Sequence, residues 1–159
     1  MPLEGLNRAL VSQGLRVMAR RENIGIKAMI DLCKLESAPE ASDCGFKLGP
    51  RINAGGRVGE SDLGTRLLIS DNPDEAAGLA LRMDELNTHR RSLGDENLSL
   101  AEKMIEDIIS HRNGLPPYIL LSHREFHAGV IGIVAGRLKD KYNRPTFVIA
   151  LEADGTGIG

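Results

Sequence analysis

The feature that most limits the fold is a helical pattern that runs from residue 73 to residue 111 without a strong turn signal. Asn72 suits the capping position, Pro73 suits the first helical turn, and two acidic residues follow them. The stop signal is the segment 111–117, which combines basic residues, a glycine and two prolines. At ~1.5 Å per residue this helix would be roughly 55 Å long, more than the width of a small domain. We therefore predict one long helix that connects two partly independent modules.

A stripe of mainly apolar residues with alternating spacings of four and three runs along this helix. Its members are Leu79, Met83, Leu86, Arg90, Leu93, Asn97, Leu100 and Met104. Because the polar members Arg90 and Asn97 lie in the middle, we expect the helix to pack on a domain at each end and to cross solvent between them. A coiled-coil dimer and two helices broken at Gly94 are alternatives, since a glycine costs only ~1 kcal/mol in a helix.

The sequence before the long helix predicts short helices. They are expected at about 6–20, 26–35, 42–54 and 61–69. Between the last two, we expect Gly55, Gly56 and Gly59 to form a flexible or left-handed turn.

The sequence after the long helix changes period. Short apolar runs at 118–121 and 145–151 predict strands, and the pattern between them predicts a helix at about 130–142. This order is one βαβ crossover of a parallel sheet. A single crossover cannot complete a sheet, and residues 153–159 form a glycine-rich end. We therefore expect the chain to be a fragment of a larger protein.

Composition excludes several classes of protein. The formal net charge is −2, which argues against a wholly basic surface that coats duplex nucleic acid but allows a local basic groove. Aromatic residues make up 3% of the chain, too few for a platform of stacked rings. The sequence has neither a long apolar run nor a signal peptide, so we expect a cytoplasmic protein that does not bind a membrane. Cys33 and Cys44 have no CxxC spacing and are predicted to be buried thiols.

The first candidate site is the run Gly-Pro-Arg-Ile-Asn-Ala-Gly-Gly-Arg at residues 49–57. Arg51 and Arg57 could grip phosphate oxygens through paired N–H groups, with Asn53 between them and glycines allowing a close approach of the backbone. The structural alternative is a helix end with solvated arginines, or an Arg51 that packs on a carboxylate such as Glu60 or Asp62.

The second candidate site is the segment 126–137, which lies between a predicted strand and a predicted helix. Ligands of open α/β sheets bind at this position, and the unpaired N–H groups of a helix start favour an anion. His127 and Arg137 could act as donors, and Gly129 with Gly132 and Gly136 would allow close packing of helix on sheet. The structural alternative is a tightly packed helix with a capping histidine.

Other polar residues give weaker signals. His123 and His127 are four residues apart, but they precede the helix, no cysteine is near, and metal binding is not favoured. We expect His89 and His111 to face solvent. The sequence contains no Asp-His-His cluster, so a two-metal hydrolase site cannot be assembled from these residues alone.

The runs 45–57 and 127–137, joined by a long helix and preceded by the opening residues 2–8, resemble the RecJ family of single-strand-specific DNA exonucleases in the DHH phosphoesterase superfamily. The resemblance implies an α/β fold in three parts. Residues 1–72 would be the C-terminal helical part of a DHH domain, and residues 73–113 the connecting helix. Residues 114–159 would be the truncated N-terminal part of a DHH-associated domain, with its first βαβ unit.

The resemblance also implies a function for the parent protein. Members of the family degrade single-stranded DNA from the 5′ end with Mn²⁺ or Mg²⁺ and serve DNA repair and recombination. The family's metal-binding aspartates and Asp-His-His motif would precede Met1, and a Gly-Ser-Gly-Arg-Ser-like motif would follow Gly159. We therefore expect a central fragment that is inactive alone and holds no metal.

The family pattern carries over candidate contacts to single-stranded DNA, and none of them is a metal ligand. They are Arg51, Asn53 and Arg57 in the first part and His127, Gly129 and Arg137 in the associated domain. Arg51 is the foremost candidate to line the groove. Two other readings stay open: a fragment of a DHH-type phosphodiesterase for short oligonucleotides or cyclic dinucleotides, and a non-catalytic scaffold. Weak self-association of the chain is a further expectation.

Overall fold

The computed structural model describes residues 4–112 and 114–159, which form a mixed, mostly helical chain with one long helix and a small sheet. The predicted α/β fold class is confirmed. The elements in chain order are α1 Gly5–Ala19, α2 Ile24–Leu32, α3 Ala41–Asp43, a π-helical turn Cys44–Leu48, α4 Gly49–Ile52, α5 Gly55–Val58, α6 Leu63–Ile69, α7 Pro73–Arg112, β1 Ile119–His123, α8 Ile131–Tyr142, β2 Thr146–Leu151 and β3 Gly157–Ile158.

Helix α7 is continuous over 40 residues, so the predicted single helix is confirmed. Asn72 caps it, because its Oδ1 accepts hydrogen bonds from the backbone N–H groups of Asp74 (2.9 Å) and Glu75 (3.3 Å). Gly94 lies inside the unbroken helix, and the alternative of two helices broken at this residue is wrong. No helix among residues 4–112 and 114–159 is long and apolar enough to cross a membrane.

The chain divides into two compact units, residues 1–87 and residues 88–159, and the boundary falls within α7. Each unit has its own apolar core. In the first unit the fully buried side chains include Met29, Ile30, Leu63, Leu67 and Met83. In the second they include Ile105, Ile119, Leu121, Val134 and Leu138.

The middle of α7 is less solvated than the stripe of residues predicts. Arg90 is half-buried, and Asn97 is only 4% exposed. The expectation that this part of the helix crosses solvent is therefore wrong at Asn97. The reason is that a loop of the second unit covers Asn97 and supplies its hydrogen-bond partners.

In the first unit the backbone is helical from Ala41 to Ile52, close to the predicted span 42–54, but it is not a regular α-helix. A π-helical turn at Cys44–Leu48 precedes Pro50. Proline has no N–H and its ring clashes with the preceding turn of an α-helix, so a wider turn at this point accommodates it.

In the second unit β1 and β2 pair in parallel, with Ile119 opposite Thr146, and α8 connects them. The predicted βαβ crossover is confirmed. Strand β3 pairs antiparallel with β2, and the sequence did not predict it, because two residues in a glycine-rich segment show no periodicity. One face of the sheet is buried, whereas Leu120 and Phe147 on the other face are 54% and 59% exposed.

Candidate nucleic-acid interface

The candidate residues fall into two groups, one in each unit. Arg51, Asn53 and Arg57 belong to the first unit, and His127, Gly129 and Arg137 belong to the second.

Arg51 lies in the short helix α4 and is largely committed to protein contacts. Its Nε donates to Oδ1 of Asp84 at 2.7 Å, and its Nη1 donates to the carbonyl oxygen of Lys47 at 2.8 Å. The side chain of Arg51 is 19% exposed. The carboxylate that it meets is Asp84 of α7, not Glu60 or Asp62. The remaining Nη2 group is the part of the guanidinium with no hydrogen bond to the described residues.

Asn53 and Arg57 lie further along the same motif, and both are exposed. Asn53 is the residue that ends α4, and its backbone N–H donates to the carbonyl oxygen of Gly49 at 2.9 Å. Arg57 lies in α5, one turn later. Exposure leaves both side chains accessible to a solute, in contrast to Arg51.

The glycines at positions 55, 56 and 59 do not form the predicted turn. Gly55 and Gly56 are helical, Gly59 is extended, and none of the three has a left-handed backbone. A Cβ at Gly55 would overlap the carbonyl oxygen of Glu60, and one at Gly59 would approach Leu86 Cδ2 to 2.9 Å. The expectation of a flexible or left-handed turn is therefore wrong. Gly55 and Gly59 lie where chain segments come close together, whereas a Cβ at Gly56 would meet no heavy atom within 4 Å.

The charges around Arg51 also act on a neighbouring thiol. Burial raises the pKa of Cys33, while the positive charge of Arg51 lowers it and the negative charge of Asp84 raises it. Burial likewise raises the pKa of Cys44, which is half-buried and, like Cys33, a free thiol. Next to it, the Lys47 ammonium lies 2.8 Å from Asp43 Oδ1, and this hydrogen bond lowers the pKa of Asp43.

In the second unit the loop between β1 and α8 is held by histidine rings that accept backbone hydrogen bonds. Nδ1 of His123 accepts from the N–H of Glu125, and Nδ1 of His127 accepts from the N–H of Gly129, both at 3.1 Å. The carbonyl oxygen of His127 accepts from the N–H of Val130 at 3.0 Å. His127 therefore stabilises the turn that leads into α8 and does not cap the helix itself, and the residue is half-buried.

Arg137 projects from α8 toward α7. Its Nη1 donates to Oδ1 of Asp95 at 2.8 Å, in an ion pair whose two side chains are 51% and 70% exposed. A second pair, Lys141 with Glu102 at 2.8 Å, joins the same two helices. Because exposed ion pairs are worth little and open readily, Arg137 can still exchange its carboxylate for another anion.

The small residues of α8 do not have the predicted role. A Cβ at Gly132 or Gly136 would meet no heavy atom within 4 Å. Gly132 and Gly136 therefore do not mediate the close packing of helix on sheet that they were expected to allow. Large apolar side chains make that contact instead, namely Ile131, Val134 and Leu138.

Sequence reasoning missed two residues that organise these groups, Asp84 and Asn97. Both lie on α7, 33 and 30 residues from their partners Arg51 and His127. A polar residue in an otherwise apolar stripe was the signal that could have identified Asn97. Asp84 carries no such signal, because it is one of many acidic residues on the helix.

Side chains of the types that bind metal ions do not cluster in the part of the chain that the structure describes. Within 4–112 and 114–159 no three His, Cys, Asp or Glu residues cluster in a way that could hold a metal ion. His123 and His127 each use Nδ1 to accept a backbone hydrogen bond. His89 and His111 are exposed, as expected, and His111 Nδ1 contacts the carbonyl oxygen of Asp107 in its own helix.

In each unit an exposed arginine, Arg57 in the first and Arg137 in the second, has a guanidinium group that could contact a phosphate. Guanidinium groups contact phosphates regardless of sequence, so neither arginine would distinguish one base from another. The backbone amides at the start of α8 lie beside His127 and would favour an anion.

No family model matches the chain. Among curated proteins it is 39% identical over 162 aligned positions to the single-stranded-DNA-specific exonuclease RecJ of Escherichia coli, and the match covers 98% of this chain and 27% of that protein. It is 32% identical over 157 positions to RecJ of Bacillus subtilis, covering 97% of this chain and 19% of that protein. The chain therefore spans about a quarter or less of the length of these relatives.

Solved structures agree with the sequence matches. The crystal structure of RecJ from Thermus thermophilus in complex with Mn²⁺ superposes with a TM-score of 0.81 at 33% identity, covering 94% of this chain and 22% of that one. A crystal structure of exonuclease RecJ bound to manganese gives a TM-score of 0.77 at 32% identity, covering 94% and 36%. In sequence and in fold, nearly the whole of this chain is similar to one part of the RecJ exonucleases.

Proposed function

We propose that this chain is the central part of a 5′→3′ single-stranded-DNA-specific exonuclease and that it supplies surfaces that hold the DNA strand. The observation that carries the proposal is the 39% identity to RecJ of Escherichia coli across 98% of the chain, which includes both candidate motifs. The exposed cationic side chains of those motifs support the same conclusion.

The proposal assigns each part of the chain to a domain. Residues 1–72 belong to a DHH phosphoesterase domain, residues 73–113 form the connecting helix, and residues 114–159 begin a DHH-associated domain. The parent enzyme works in the cytoplasm, in DNA repair and recombination.

The chain's own contribution is binding and not chemistry. Arg57 and Arg137 neutralise backbone phosphates, and Asn53 and the loop at His127 add hydrogen bonds to the strand. Arg51 has a smaller share of the binding, because Asp84 balances its charge. Contacts of this kind carry no sequence information, as an enzyme that degrades any strand requires.

The divalent ions of the parent enzyme are held by residues other than these. Matched structures are described as containing Mn²⁺ or Mg²⁺. The described residues offer no ligand set for either ion, so the chain alone is expected to hydrolyse nothing. Such ions would activate water and stabilise the leaving oxygen.

Nuclease assays on the parent enzyme and on the isolated chain test the activity. We expect the parent to release nucleotides from 5′-labelled long single strands in the presence of Mn²⁺ or Mg²⁺ and the highly purified chain to release none. Preference of the parent for dinucleotides or cyclic dinucleotides would favour a DHH-type phosphodiesterase of small substrates. If the parent hydrolyses neither kind of substrate, a non-catalytic scaffold is the remaining interpretation. Release of nucleotides by the chain alone would overturn its assignment as a binding part.

The salt dependence of binding tests the role of the motif. In the parent enzyme Arg57→Ala should weaken single-strand affinity about equally on all sequences and lower the salt slope by about one unit. Arg16→Ala, which removes an exposed arginine of α1 outside both motifs, is the matched control and should leave the slope unchanged. Equal effects of the two substitutions would show that Arg57 has no special position.

A further inference from the structure

Asn97 is a buried polar side chain on an apolar stripe of α7. It is 4% exposed. Its Oδ1 accepts a hydrogen bond from the backbone N–H of His127 at 2.8 Å, and its Nδ2 donates to the carbonyl oxygen of Glu125 at 3.4 Å. A leucine would satisfy the stripe without the cost of burying an amide. The hydrogen bonds to the loop are therefore what the asparagine adds.

These two hydrogen bonds bracket Phe126, which anchors the loop in the core. Phe126 is 4% exposed, and its ring packs edge-to-face on His123 with centroids 5.9 Å apart. The loop is thus fixed at Glu125 and His127 by Asn97 and at Phe126 by apolar packing. These contacts restrict the backbone of the loop at His127.

The backbone around His127 determines which nitrogen of its ring carries the proton. Because Nδ1 of His127 accepts the N–H of Gly129, Nδ1 has no proton and the neutral ring carries it on Nε2. The N–H and the carbonyl oxygen of His127 are also used, by Asn97 and Val130. Nε2–H of His127 has no hydrogen-bond partner among the described residues, so this uncharged donor is available to a ligand.

We propose that Asn97 is a positioning residue that fixes the His127 loop so that Nε2–H of His127 donates to an oxygen of the DNA backbone. The inference rests on the proposed function and deepens it, since it names the residue through which the helix controls one contact to the strand. Asn97 itself touches no DNA. Because a ring whose Nδ1 accepts a hydrogen bond carries no charge, this contact adds affinity without adding to the salt dependence.

A double-mutant cycle in the parent enzyme tests the proposal. Asn97→Leu keeps the stripe apolar and removes both hydrogen bonds, and His127→Ala removes the donor. We expect each single change to weaken single-strand affinity by about three- to tenfold, the range for one lost hydrogen bond, with the salt slope unchanged. In the His127→Ala background, Asn97→Leu should have no further effect, because its influence passes through His127.

Amide hydrogen exchange of the parent enzyme provides a second measurement. Asn97→Leu should remove protection of the amides at His127 and Gly129. Asn97→Asp retains an acceptor oxygen at Oδ1 and should retain more of this protection, so it serves if Asn97→Leu does not fold. Asn87→Leu is the control, because Asn87 is a buried asparagine of the same helix in the first unit. It should leave protection at His127 unchanged.

Each result has a distinct meaning. Additive losses from Asn97→Leu and His127→Ala would overturn the positioning role and leave the proposed function intact. A salt slope that falls by about one unit in His127→Ala would show a cationic contact and would also overturn it. If the parent enzyme does not bind single strands, the proposed function fails and the proposal with it, whatever the exchange data show about the loop.

Discussion

Nε of Arg51 lies 2.7 Å from Oδ1 of Asp84, and this ion pair joins the motif of the first unit to the long helix α7. The two residues are 33 positions apart in the sequence. The alternative partners, Glu60 and Asp62, instead lie 3.6 Å from Arg82 and 4.0 Å from Arg66. Arg51, the foremost candidate for strand binding, thus also holds α4 to α7 within the first unit.

Replacement of Arg51 should affect the free energy of unfolding more than it affects the salt dependence of single-strand binding. We expect Arg51→Ala to lower the free energy of unfolding by about 1–3 kcal/mol, because it removes two hydrogen bonds from a charged donor that is mostly buried. In the parent enzyme it should lower the salt slope of single-strand binding by less than one unit, since Asp84 already balances the charge. Urea unfolding of the chain and affinity of the parent at several salt concentrations measure the two effects.

Asp84→Ala is the matched control for Arg51→Ala. It should cost a similar amount of stability but leave the Arg51 charge unbalanced, so that the parent binds single strands more tightly at low salt. A full unit of slope lost in Arg51→Ala, with the free energy of unfolding unchanged, would show instead that Arg51 serves the strand alone.

Gly25→Ala should destabilise the first unit by overpacking. A Cβ at Gly25 in α2 would overlap the carbonyl oxygen of Leu67 in α6, and neither backbone can yield without moving its helix. We expect the free energy of unfolding to fall by about 1–3 kcal/mol. Gly14→Ala is the control, because a Cβ there meets no atom within 4 Å and Gly14 lies inside α1. It should raise the free energy of unfolding by up to about 1 kcal/mol. Equal effects in the same urea titration would contradict this account of α2 and α6.

The Cys33 thiol should make stability fall in alkaline solution. Burial raises the pKa of Cys33 in the folded state, so the folded chain binds more protons than the unfolded chain once the pH exceeds the ordinary thiol pKa of about 8.5. The stabilisation is fully present below that pH and is lost as the pH rises through the folded-state pKa. Urea unfolding between about pH 7 and about pH 10 should show the decline, and Cys33→Ala should reduce it. The same slope in both proteins would exclude Cys33 as the source.

The uncovered face of the sheet should make the chain self-associate. Leu120 and Phe147 lie directly opposite each other in β1 and β2, and both are more than half exposed, whereas parallel sheets are normally covered on both faces. The double change Leu120→Thr with Phe147→Thr keeps β-branched residues on the strands and should lower the association seen by sedimentation at high concentration. The control Leu121→Thr, on the buried face, should destabilise the chain instead. Unchanged association in the double variant would place the contact elsewhere.

The long helix was predictable because its signals are local. Asn72 caps the helix and Pro73 opens it, and both act within one turn of backbone, so the sequence determines them before any tertiary contact forms. The βαβ crossover was predictable for a related reason, since the change from helical period to short apolar runs reflects which faces must be buried. The two motifs were likewise located from the sequence.

The roles of single residues within those motifs were less predictable. Gly55 appeared in the sequence as a turn residue, and in the structure it is the place where the carbonyl of Glu60 approaches a helix. The sequence interpretation gave Gly136 a packing role, but in the structure Gly136 faces open space. A glycine in a sequence indicates only that a side chain is absent, and the reason depends on what lies beside it.

By itself, the sequence determined the length of α7, the order of helices and strands, and the family to which the motifs point, because caps, periods and motif residues act through neighbours in the chain. Only the tertiary structure decided that Arg51 meets Asp84 and that Asn97 holds His127. The members of these pairs are 33 and 30 residues apart, and many other carboxylates and amides were available to each. The choice among them is made when helices and loops pack, because burial of a polar group requires a partner at that place.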